Sequence, residues 1–386
     1  MTLSPAVALT RDLLRCASVT PKDDGALRVI ETALKDSGFA THRVTFQEPG
    51  TPDIDNLFAK IGESRPHLVF AGHTDVVPPG DAARWRFDPF SGEVADGRIY
   101  GRGASDMKGA IAAFVTAASG YVRENGPPKG AISLLVTGDE EGPSINGTAK
   151  LLDWAKARGE VFDHCIVGEP TCVEALGDMI KIGRRGSLNG TICVVGKQGH
   201  VAYPERAKNP APVVARIVTA LSAHEFDAGT AHFSPTHLEF SSIDIGNPAA
   251  NVIPGQAHAS FNVRFNDLWS PETLSERIRN IARAASGETE VEISFAPCNA
   301  RSFLTAPGAF SSLVSREIKA VTGREPKLST SGGTSDARFI TRDCEVLEFG
   351  LTNETIHAVD ECAALADIDA LTRIYARIIA AYFESP

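Results

Sequence analysis

The first half of the chain alternates between helical periodicity and short apolar runs. Apolar side chains recur about every 3.6 residues over 5–14 and 25–37, which predicts two amphipathic helices. Residues 67–72, 131–137 and 164–168 form short apolar segments, which predicts strands buried in a sheet. Helices that alternate with buried strands are typical of an α/β domain with a largely parallel sheet.

The pattern changes in the middle of the chain. Alternating polar and apolar positions in SLNGTICVVG, THLEFSSIDIG and AHASFNVRF predict two or three strands. Amphipathic spacing over 211–224 and 271–285 predicts two helices. Together these elements predict a small α+β module inserted into the larger domain.

The length of the chain allows more than one domain. At 386 residues it exceeds one ordinary core, since a domain usually takes roughly 100–200 residues. A predicted strand at 344–350 and a predicted helix at 366–383 return to the α/β character of the first half. We therefore predict one discontinuous α/β domain, residues 1–181 and 298–386, with an inserted domain at 182–297.

The composition argues against nucleic-acid and membrane partners. With 38 Lys and Arg against 48 Asp and Glu the net charge is −10, and no basic run offers a surface for a phosphate backbone. Pro5, Arg11 and Arg15 interrupt the first segment before an apolar run reaches signal-peptide length. No segment approaches the roughly 20 apolar residues of a membrane helix.

The cysteines predict a reducing compartment. There are 7 of them, an odd and scattered set without a C-x-x-C pair, which suits free thiols and a cytoplasmic location. Because they offer no zinc-finger spacing, any metal site must be built from histidines and carboxylates.

Imidazole and carboxylate groups follow the predicted strands at their carboxyl ends. His73 and Asp75 follow the first strand, acidic residues follow the second in TGDEEG, and Glu169 follows the third. Asp106 lies in the glycine-rich turn GRGASDMKG. Ligands of open α/β sheets bind at this edge, and several acids there repel one another unless a cation offsets them. The pattern predicts a metal site.

Backbone alternation suggests two local roles. In an extended segment residues i and i+2 face the same way, so the Asp75 carboxylate can accept the proton on the far nitrogen of His73. Consecutive residues face opposite sides, so Glu140 and Glu141 are expected to differ in role. One ligates a metal, and the other faces the substrate as a general base.

Seven motifs, in their order along the chain, resemble the M20 metallopeptidase family: GHTDVVP, GRGASDMKG, TGDEEG, VGEPT, GHVAYP, SGGTSD and TIHAVDE. The resemblance runs nearly from end to end. It implies a di-zinc hydrolase domain with two Zn²⁺ per chain, Co²⁺ being able to replace zinc at one site. The implied ligands are His73, Asp106, Glu141, Glu169 and His357. Asp106 bridges the ions, His73 and Glu169 complete one site, and the remaining two residues complete the other.

The resemblance also implies roles for neighbouring residues. Glu140 is the general acid and base, and Asp75 orients His73. The peptide bond that follows Asp106 is expected to be cis. The inserted domain acts as a lid, makes a homodimer and sends His200 into the partner's active site as an oxyanion donor.

Within the family, IKIGRRGSLNG, QGHVAYP and TIHAVDE resemble the subfamily that hydrolyses the succinyl amide of N-succinyl-LL-2,6-diaminopimelate. This reaction belongs to lysine and diaminopimelate biosynthesis. The small-molecule substrate carries a free carboxylate, which arginine can bind with two parallel hydrogen bonds. The implied substrate contacts are Arg184, Asn251, Arg264, Gly333 and Thr334. Salt bridges between the domains are the alternative role for the arginines.

Other functions stay open at this stage. Another deacylase of the family, such as acetylornithine deacetylase or an aminoacylase, needs the same metal ligands. A nucleotide-binding oxidoreductase is suggested by GRGASDMKG, but Asp106 stands where G-x-G-x-x-G requires glycine, and an acid there repels a pyrophosphate. A non-catalytic dimeric module with a structural metal does not explain the spare carboxylate Glu140, because structural zinc sites are usually closed.

Overall fold

The computed structural model describes residues 2–384, which form two compact units. The first unit is made of three segments of the chain: the residues up to Ile182, Thr305–Ser329, and the residues from Ser335 onward. The second unit contains Gly183–Leu304 and Thr330–Thr334. Among the described residues no helix is long and apolar enough to cross a membrane.

The second unit extends beyond the predicted insertion, residues 182–297. The strand Phe303–Leu304 pairs antiparallel with Gly183–Arg184, which keeps the chain in this unit up to Leu304. The segment Thr330–Thr334, predicted to lie in the catalytic part, also returns to the second unit. Its anchors are hydrogen bonds of Thr330 and Ser331, the latter accepting from Arg184 through its carbonyl oxygen at 3.3 Å. Such polar contacts leave no hydrophobic pattern in the sequence.

A sheet of eight strands forms the centre of the first unit. In their order across the sheet the strands are Ala40–Phe46, Ile54–Ile61, Ala131–Thr137, His67–His73, His164–Val167, Glu345–Glu348, Met179–Lys181 and Lys327–Ser329. The four strands from Ala131–Thr137 to Glu345–Glu348 run parallel, and the first two strands are antiparallel. All residues of Ala131–Thr137 and His67–His73 are buried, which explains their near-continuous apolar sequences.

Helices pack against this sheet. They are Pro5–Leu14, Ala26–Lys35, Gly109–Asn125, Thr148–Lys156, Ala309–Thr322, Ala337–Ile340 and Leu365–Glu384. Phe114 stacks on Phe70 of the sheet with 4.3 Å between ring centroids, and Tyr375 meets both rings edge-on. A small sheet of Glu93–Ala95, Arg98–Tyr100 and Cys362–Ala364 completes the unit. The predicted α/β class with a largely parallel sheet is confirmed.

The second unit is built on a four-stranded antiparallel sheet. The strands, in their order across the sheet, are His237–Asp244, Gln256–Phe265, Gly186–Val195 and Val291–Phe295. The helices Ala211–Ser222 and Pro271–Ser286 cover one face and share its apolar core. Alternate residues of Gln256–Phe265 are buried, as expected for a sheet with one covered face. A further pair of short strands joins Gly199–His200 to Val252–Ile253.

Candidate metal centre

Side chains from five places in the sequence meet at the carboxyl ends of the parallel strands. His73 is the last residue of its strand, and Glu141 and Glu169 follow the strands on either side. Asp106 comes from the turn before helix Gly109–Asn125, and His357 follows strand Glu345–Glu348. The fold therefore brings together the groups that the sequence separates by up to 284 positions, from 73 to 357.

Asp106 lies between two imidazoles. Its Oδ1 is 3.2 Å from Nε2 of His73, and its Oδ2 is 3.4 Å from Nε2 of His357. His357 Nε2 also contacts Glu141 Oε1 at 2.8 Å, and His73 Nε2 lies 3.8 Å from Glu169 Oε1. One oxygen of Asp106 therefore faces each imidazole.

Ligand-atom distances among the described residues define two overlapping groups that could hold a cation. One consists of His73, Asp106 and Glu141, and the other of His73, Glu140 and Glu169. In each group the candidate atoms lie within 4.8 Å of one another. The second group includes Glu140, to which the sequence assigned a different role. The direct contacts of Asp106 favour the pairing given by the resemblance, because each of its oxygens meets a different histidine.

The backbone around Asp106 forms a tight turn. Gly103 has φ +92°, a left-handed conformation that glycine adopts readily, and the chain then kinks at Asp106 and Met107, whose backbone angles are not helical. The peptide bond between Asp106 and Met107 is cis, as the resemblance implied. Met107 is fully buried, and the carboxylate of Asp106 is directed toward the end of the sheet.

Asp75 contacts His73 through its backbone carbonyl oxygen, not through the carboxylate that the sequence predicted. Nδ1 of His73 is 2.9 Å from the backbone carbonyl oxygen of Asp75 and 3.7 Å from its carboxylate. The carboxylate instead accepts hydrogen bonds from the Thr20 hydroxyl and from the N–H groups of Glu140 and Glu141. The strand ends at His73, so the alternation of extended backbone does not apply to Asp75. Asp75 orients the imidazole with its carbonyl group and the acidic loop with its side chain.

The two consecutive glutamates also depart from the predicted geometry. Glu140 and Glu141 lie in a turn rather than in an extended segment, because both of their N–H groups point at the Asp75 carboxylate. The alternation of an extended segment therefore does not apply to them, although their carboxylates still meet different partners. Glu141 meets His357, whereas Glu140 lies on the side of His73 and Glu169.

Burial shifts the proton affinities of the acids strongly. Burial, and then Asp106 and Glu140, raise the pKa of Glu169 well above its ordinary value. Burial is also the main cause that raises the pKa of Glu140 to about 8. Burial acts in the same direction on Asp106, but hydrogen bonds with the two histidines outweigh it and hold the Asp106 pKa well below the usual range. The site concentrates negative charge in a place where water cannot offset it.

The pKa values of the two histidines are raised as well, which for an imidazole favours the charged form. Hydrogen bonds with Asp106 and Glu141 raise the pKa of His357 to about 10. Burial acts to lower the pKa of His73, yet its bond with Asp106 raises it well above the ordinary value. Positive charge is therefore stabilised at this position, as expected for a cation site.

The donor set fits divalent metal ions. Within residues 2–384, Glu169 Oε1 is buried without a hydrogen-bond partner, a costly arrangement that a coordinated cation relieves. Imidazole nitrogens and carboxylate oxygens are ligands of zinc and of related transition metals. Two such sites that share one carboxylate fit a two-metal hydrolase better than a closed structural site.

Two residues beside Glu140 were not identified from the sequence. Arg338 Nη1 lies 3.9 Å from Glu140 Oε1 and 3.6 Å from Asp336 Oδ1. The Thr148 hydroxyl donates to the other oxygen of Asp336 at 2.6 Å. Asp336 ends the motif SGGTSD, so the motif contained a signal, but no spacing rule connected it with Glu140.

The predicted substrate contacts lie in the second unit. Arg184 is buried and donates to the carbonyl of Ser331, which places it beside the segment with Gly333 and Thr334. Arg264 is on the strand Gln256–Phe265, opposite Ser187. Burial, and then the neighbouring charge of Arg185, lower the pKa of Arg264.

His200 and Asn251 lie together at another place in the second unit. His200 pairs with Val252, and the carbonyl oxygen of Asn251 accepts from Val201 N–H at 3.1 Å. The His200 side chain is exposed, and its Nδ1 accepts the N–H of Ala202 at 3.0 Å. The roles assigned to these residues by the resemblance stay predictions.

Comparison with known proteins connects this geometry to a family. The model of the family described as Peptidase family M20/M25/M40 matches residues 69–381. A protein of Methylocella silvestris named succinyl-diaminopimelate desuccinylase is 60% identical over 382 residues, covering 98% of each chain. Further bacterial relatives at 57% identity have the same name.

Solved structures share the fold. A tripeptidase of Staphylococcus aureus superimposes with a TM-score of 0.81 at 17% identity, covering 99% of this chain and 98% of the other. The YXEP protein of Bacillus subtilis, described as a dinuclear metal binding peptidase of the M20 family, superimposes with a TM-score of 0.72 at 15% identity. That alignment covers 99% of this chain and 98% of the other.

Proposed function

Because the chain belongs to peptidase family M20/M25/M40, we propose that it hydrolyses N-succinyl-LL-2,6-diaminopimelate to succinate and LL-2,6-diaminopimelate. The reaction is a step of lysine and diaminopimelate biosynthesis. Full-length identity of 60% to a relative named for this activity supports the choice of substrate. The observation that carries the chemistry is the position of Asp106 between His73 and His357.

We propose that two zinc ions bind each chain, with cobalt able to replace zinc at one position. Asp106 is the shared ligand, with His73 and Glu169 on one side. Glu141 and His357 are the ligands on the other side. This assignment is supported by the contacts of the two Asp106 oxygens and by the unpartnered oxygen of Glu169.

Glu140 is proposed to move the proton during hydrolysis. Zinc ions held by these residues would lower the pKa of a water molecule toward neutrality and stabilise developing charge on the amide oxygen. Glu140 takes the proton from the attacking water and returns it to the leaving amine. This role is supported by the position of Glu140 beside His73 and Glu169, with its side chain only 14% exposed.

The second unit is proposed to complete the site through a homodimer. Its edge strand His237–Asp244 exposes Ile243, and Tyr203 is exposed near His200, so apolar surface is available for a second copy of the chain. His200 of the partner subunit would then donate a hydrogen bond to the oxyanion. A cytoplasmic location is proposed on the basis of seven free cysteines.

Rates on two substrates test the proposed specificity. We expect kcat/KM for N-succinyl-LL-2,6-diaminopimelate to exceed that for N-acetylornithine by about 10²-fold or more, because the acetyl group lacks the carboxylate that the arginines bind. The measurement is amine release by the purified protein loaded with zinc, at matched substrate concentrations. Equal or reversed preference would reject the proposed substrate in favour of a deacetylase.

Replacement of Arg264 should separate binding from chemistry. In Arg264→Gln we expect KM for the succinyl substrate to rise about 10-fold or more while kcat changes less than about 3-fold. A hydrogen bond to a charged group is worth about 1.5–3 kcal/mol, which corresponds to this range. Arg283→Gln is the matched control, because Arg283 lies in the same unit on helix Pro271–Ser286 with an exposed side chain. An unchanged KM would exclude Arg264 from the substrate site.

A further inference from the structure

The buried carboxylate of Glu361 holds the turn that contains Asp106. Its Oε2 accepts hydrogen bonds from Arg102 Nη1 at 2.8 Å and from Gly103 N–H at 3.1 Å. Its Oε1 accepts from the N–H groups of Ser105 and Asp106 at 3.0 and 3.1 Å. Glu361 is fully buried, so these four donors take the place of water around its charge.

Arg102 connects the same carboxylate to the segment of His357. Besides its bond with Glu361, Arg102 donates from Nη1 to the carbonyl oxygen of Ala358 at 3.1 Å. It also donates from Nη2 to the carbonyl oxygen of His357 at 3.3 Å. Arg102 is 3% exposed, so these contacts are shielded from solvent.

The His357 segment needs such a restraint. His357 has φ +58° and Asp360 has φ +61°, left-handed conformations that are uncommon for residues other than glycine. The His357 side chain is 47% exposed, whereas the His73 side chain is 1% exposed. Packing therefore fixes His73, whereas the position of His357 depends more on hydrogen bonds, among them the one that its carbonyl oxygen accepts from Arg102.

We propose that Arg102 and Glu361 are a positioning pair that sets the distance between Asp106 and His357. The pair thereby determines the affinity of the metal position formed by Asp106, Glu141 and His357. This inference rests on the proposed two-metal site. Neither residue of the pair touches the substrate or the metals; both act through the backbone of the two ligands.

The size of the effect follows from the geometry. Partners that orient metal ligands typically change metal affinity by 10–100-fold when they are replaced. The other metal position is less dependent on the pair, because His73 ends one parallel strand of the central sheet and Glu169 closely follows the neighbouring one. We therefore expect one of the two affinities to fall and the other to be nearly kept.

Glu361→Gln changes the pair with little change in size. A glutamine side chain has one acceptor oxygen and an NH₂ group that only donates. Four donors surround the wild-type carboxylate, two at each oxygen. The NH₂ group of glutamine must therefore face two donors, either Arg102 with the Gly103 N–H or the N–H groups of residues 105 and 106. The turn and the guanidinium cannot both keep their present positions.

Arg102→Lys tests the other member of the pair. Lysine keeps the positive charge but lacks the planar fork that reaches Glu361 and two carbonyl groups at once. Glu354→Gln is the matched control, because Glu354 lies in the same segment as His357 with its side chain 67% exposed. It makes the same chemical change outside the pair.

Zinc binding to the metal-free proteins, measured by equilibrium dialysis, tests the proposal. For the wild type we expect two zinc ions per chain, and for Glu354→Gln we expect two zinc ions bound with the affinities of the wild type. For Glu361→Gln and Arg102→Lys we expect one affinity within about 3-fold of wild type and the other reduced about 10–100-fold. Visible absorption of the Co²⁺-loaded proteins should show the change in ligand geometry only in the two pair variants.

The outcomes separate this inference from the proposed function. Fewer than two zinc ions on the wild type would refute the two-metal site itself. Two ions on the wild type with unchanged zinc affinities and Co²⁺ spectra in both pair variants would overturn the positioning role alone. An equal loss at both positions, with a lower melting temperature, would also overturn it by showing a general structural role. If Glu361→Gln does not fold, Arg102→Lys decides between these results.

Discussion

Replacing Glu140 with glutamine is expected to lower kcat by about 10²–10⁴-fold while about two metal ions per chain are retained. Glutamine has nearly the same size as glutamate, but it cannot take a proton from water or return one to an amine. The KM for the succinyl substrate should change little, because Glu140 is not among the proposed substrate contacts.

The surroundings of Glu140 explain why no neighbour can replace it. Burial raises its pKa to about 8 in the metal-free protein, and cations bound beside it would lower that pKa. Glu141 is engaged with His357, and Asp336 accepts a hydrogen bond from Thr148. A glutamine at position 140 therefore leaves the site without a positioned base.

Metal content and turnover of Glu140→Gln should be measured on the same preparation. Glu63→Gln is the control, because the Glu63 side chain is 94% exposed. Wild-type turnover in Glu140→Gln would remove this residue from the role of base. A loss of one metal ion would make it a ligand instead, as the grouping of Glu140 with His73 and Glu169 allows.

Replacing Asp106 with asparagine is expected to have the larger effect, a fall in activity of at least about 10⁴-fold. Metal ions held by these residues would lower the pKa of water toward neutrality, so a site that no longer holds them would lose most of its nucleophile. Asparagine has one acceptor oxygen in place of two. It cannot meet cations on both sides, as the two oxygens of Asp106 meet two imidazoles.

The control for this variant is Asp96→Asn. Asp96 makes an ion pair with Arg86 at the surface, with a side chain 66% exposed, so the same change of chemistry occurs away from the site. Zinc content by atomic absorption and succinate release are the measurements. If Asp106→Asn keeps two zinc ions and more than about one tenth of the activity, Asp106 is not the shared ligand.

Much of the fold could be predicted from the sequence because burial leaves a clear hydrophobic pattern. The helix Pro5–Leu14 and the strand Ala131–Thr137 agree with their predicted bounds. The antiparallel strands Ala40–Phe46 and Ile54–Ile61 were not predicted. Ala40–Phe46 lies at the edge of the sheet, where all of its residues are at least partly exposed and the apolar signal is weak.

The site was predictable at the level of ligand types and less so at the level of contacts. His73 ends its strand, and Glu141 and Glu169 come after theirs, which are positions that the apolar runs of the sequence reveal. The carbonyl contact of Asp75 with His73 could not be predicted, because it depends on where the strand stops. Hydrogen bonds to backbone groups have no periodic signature in a sequence.

The same limit applies to Arg102 and Glu361. Both lie inside motifs that the resemblance identified, GRGASDMKG and TIHAVDE, yet the motifs do not show that one side chain bonds to the other. Their 259-residue separation is closed only by the folded first unit. A buried ion pair between two distant motifs can be recognised only in the structure.

Zinc-loaded crystals examined by anomalous X-ray scattering test the central claim most directly. The account predicts two zinc peaks per chain, with a carboxylate oxygen of Asp106 bound to each. His73 and Glu169 should be bound to one ion, and Glu141 and His357 to the other. A single peak, or two peaks that do not share Asp106, would contradict the account.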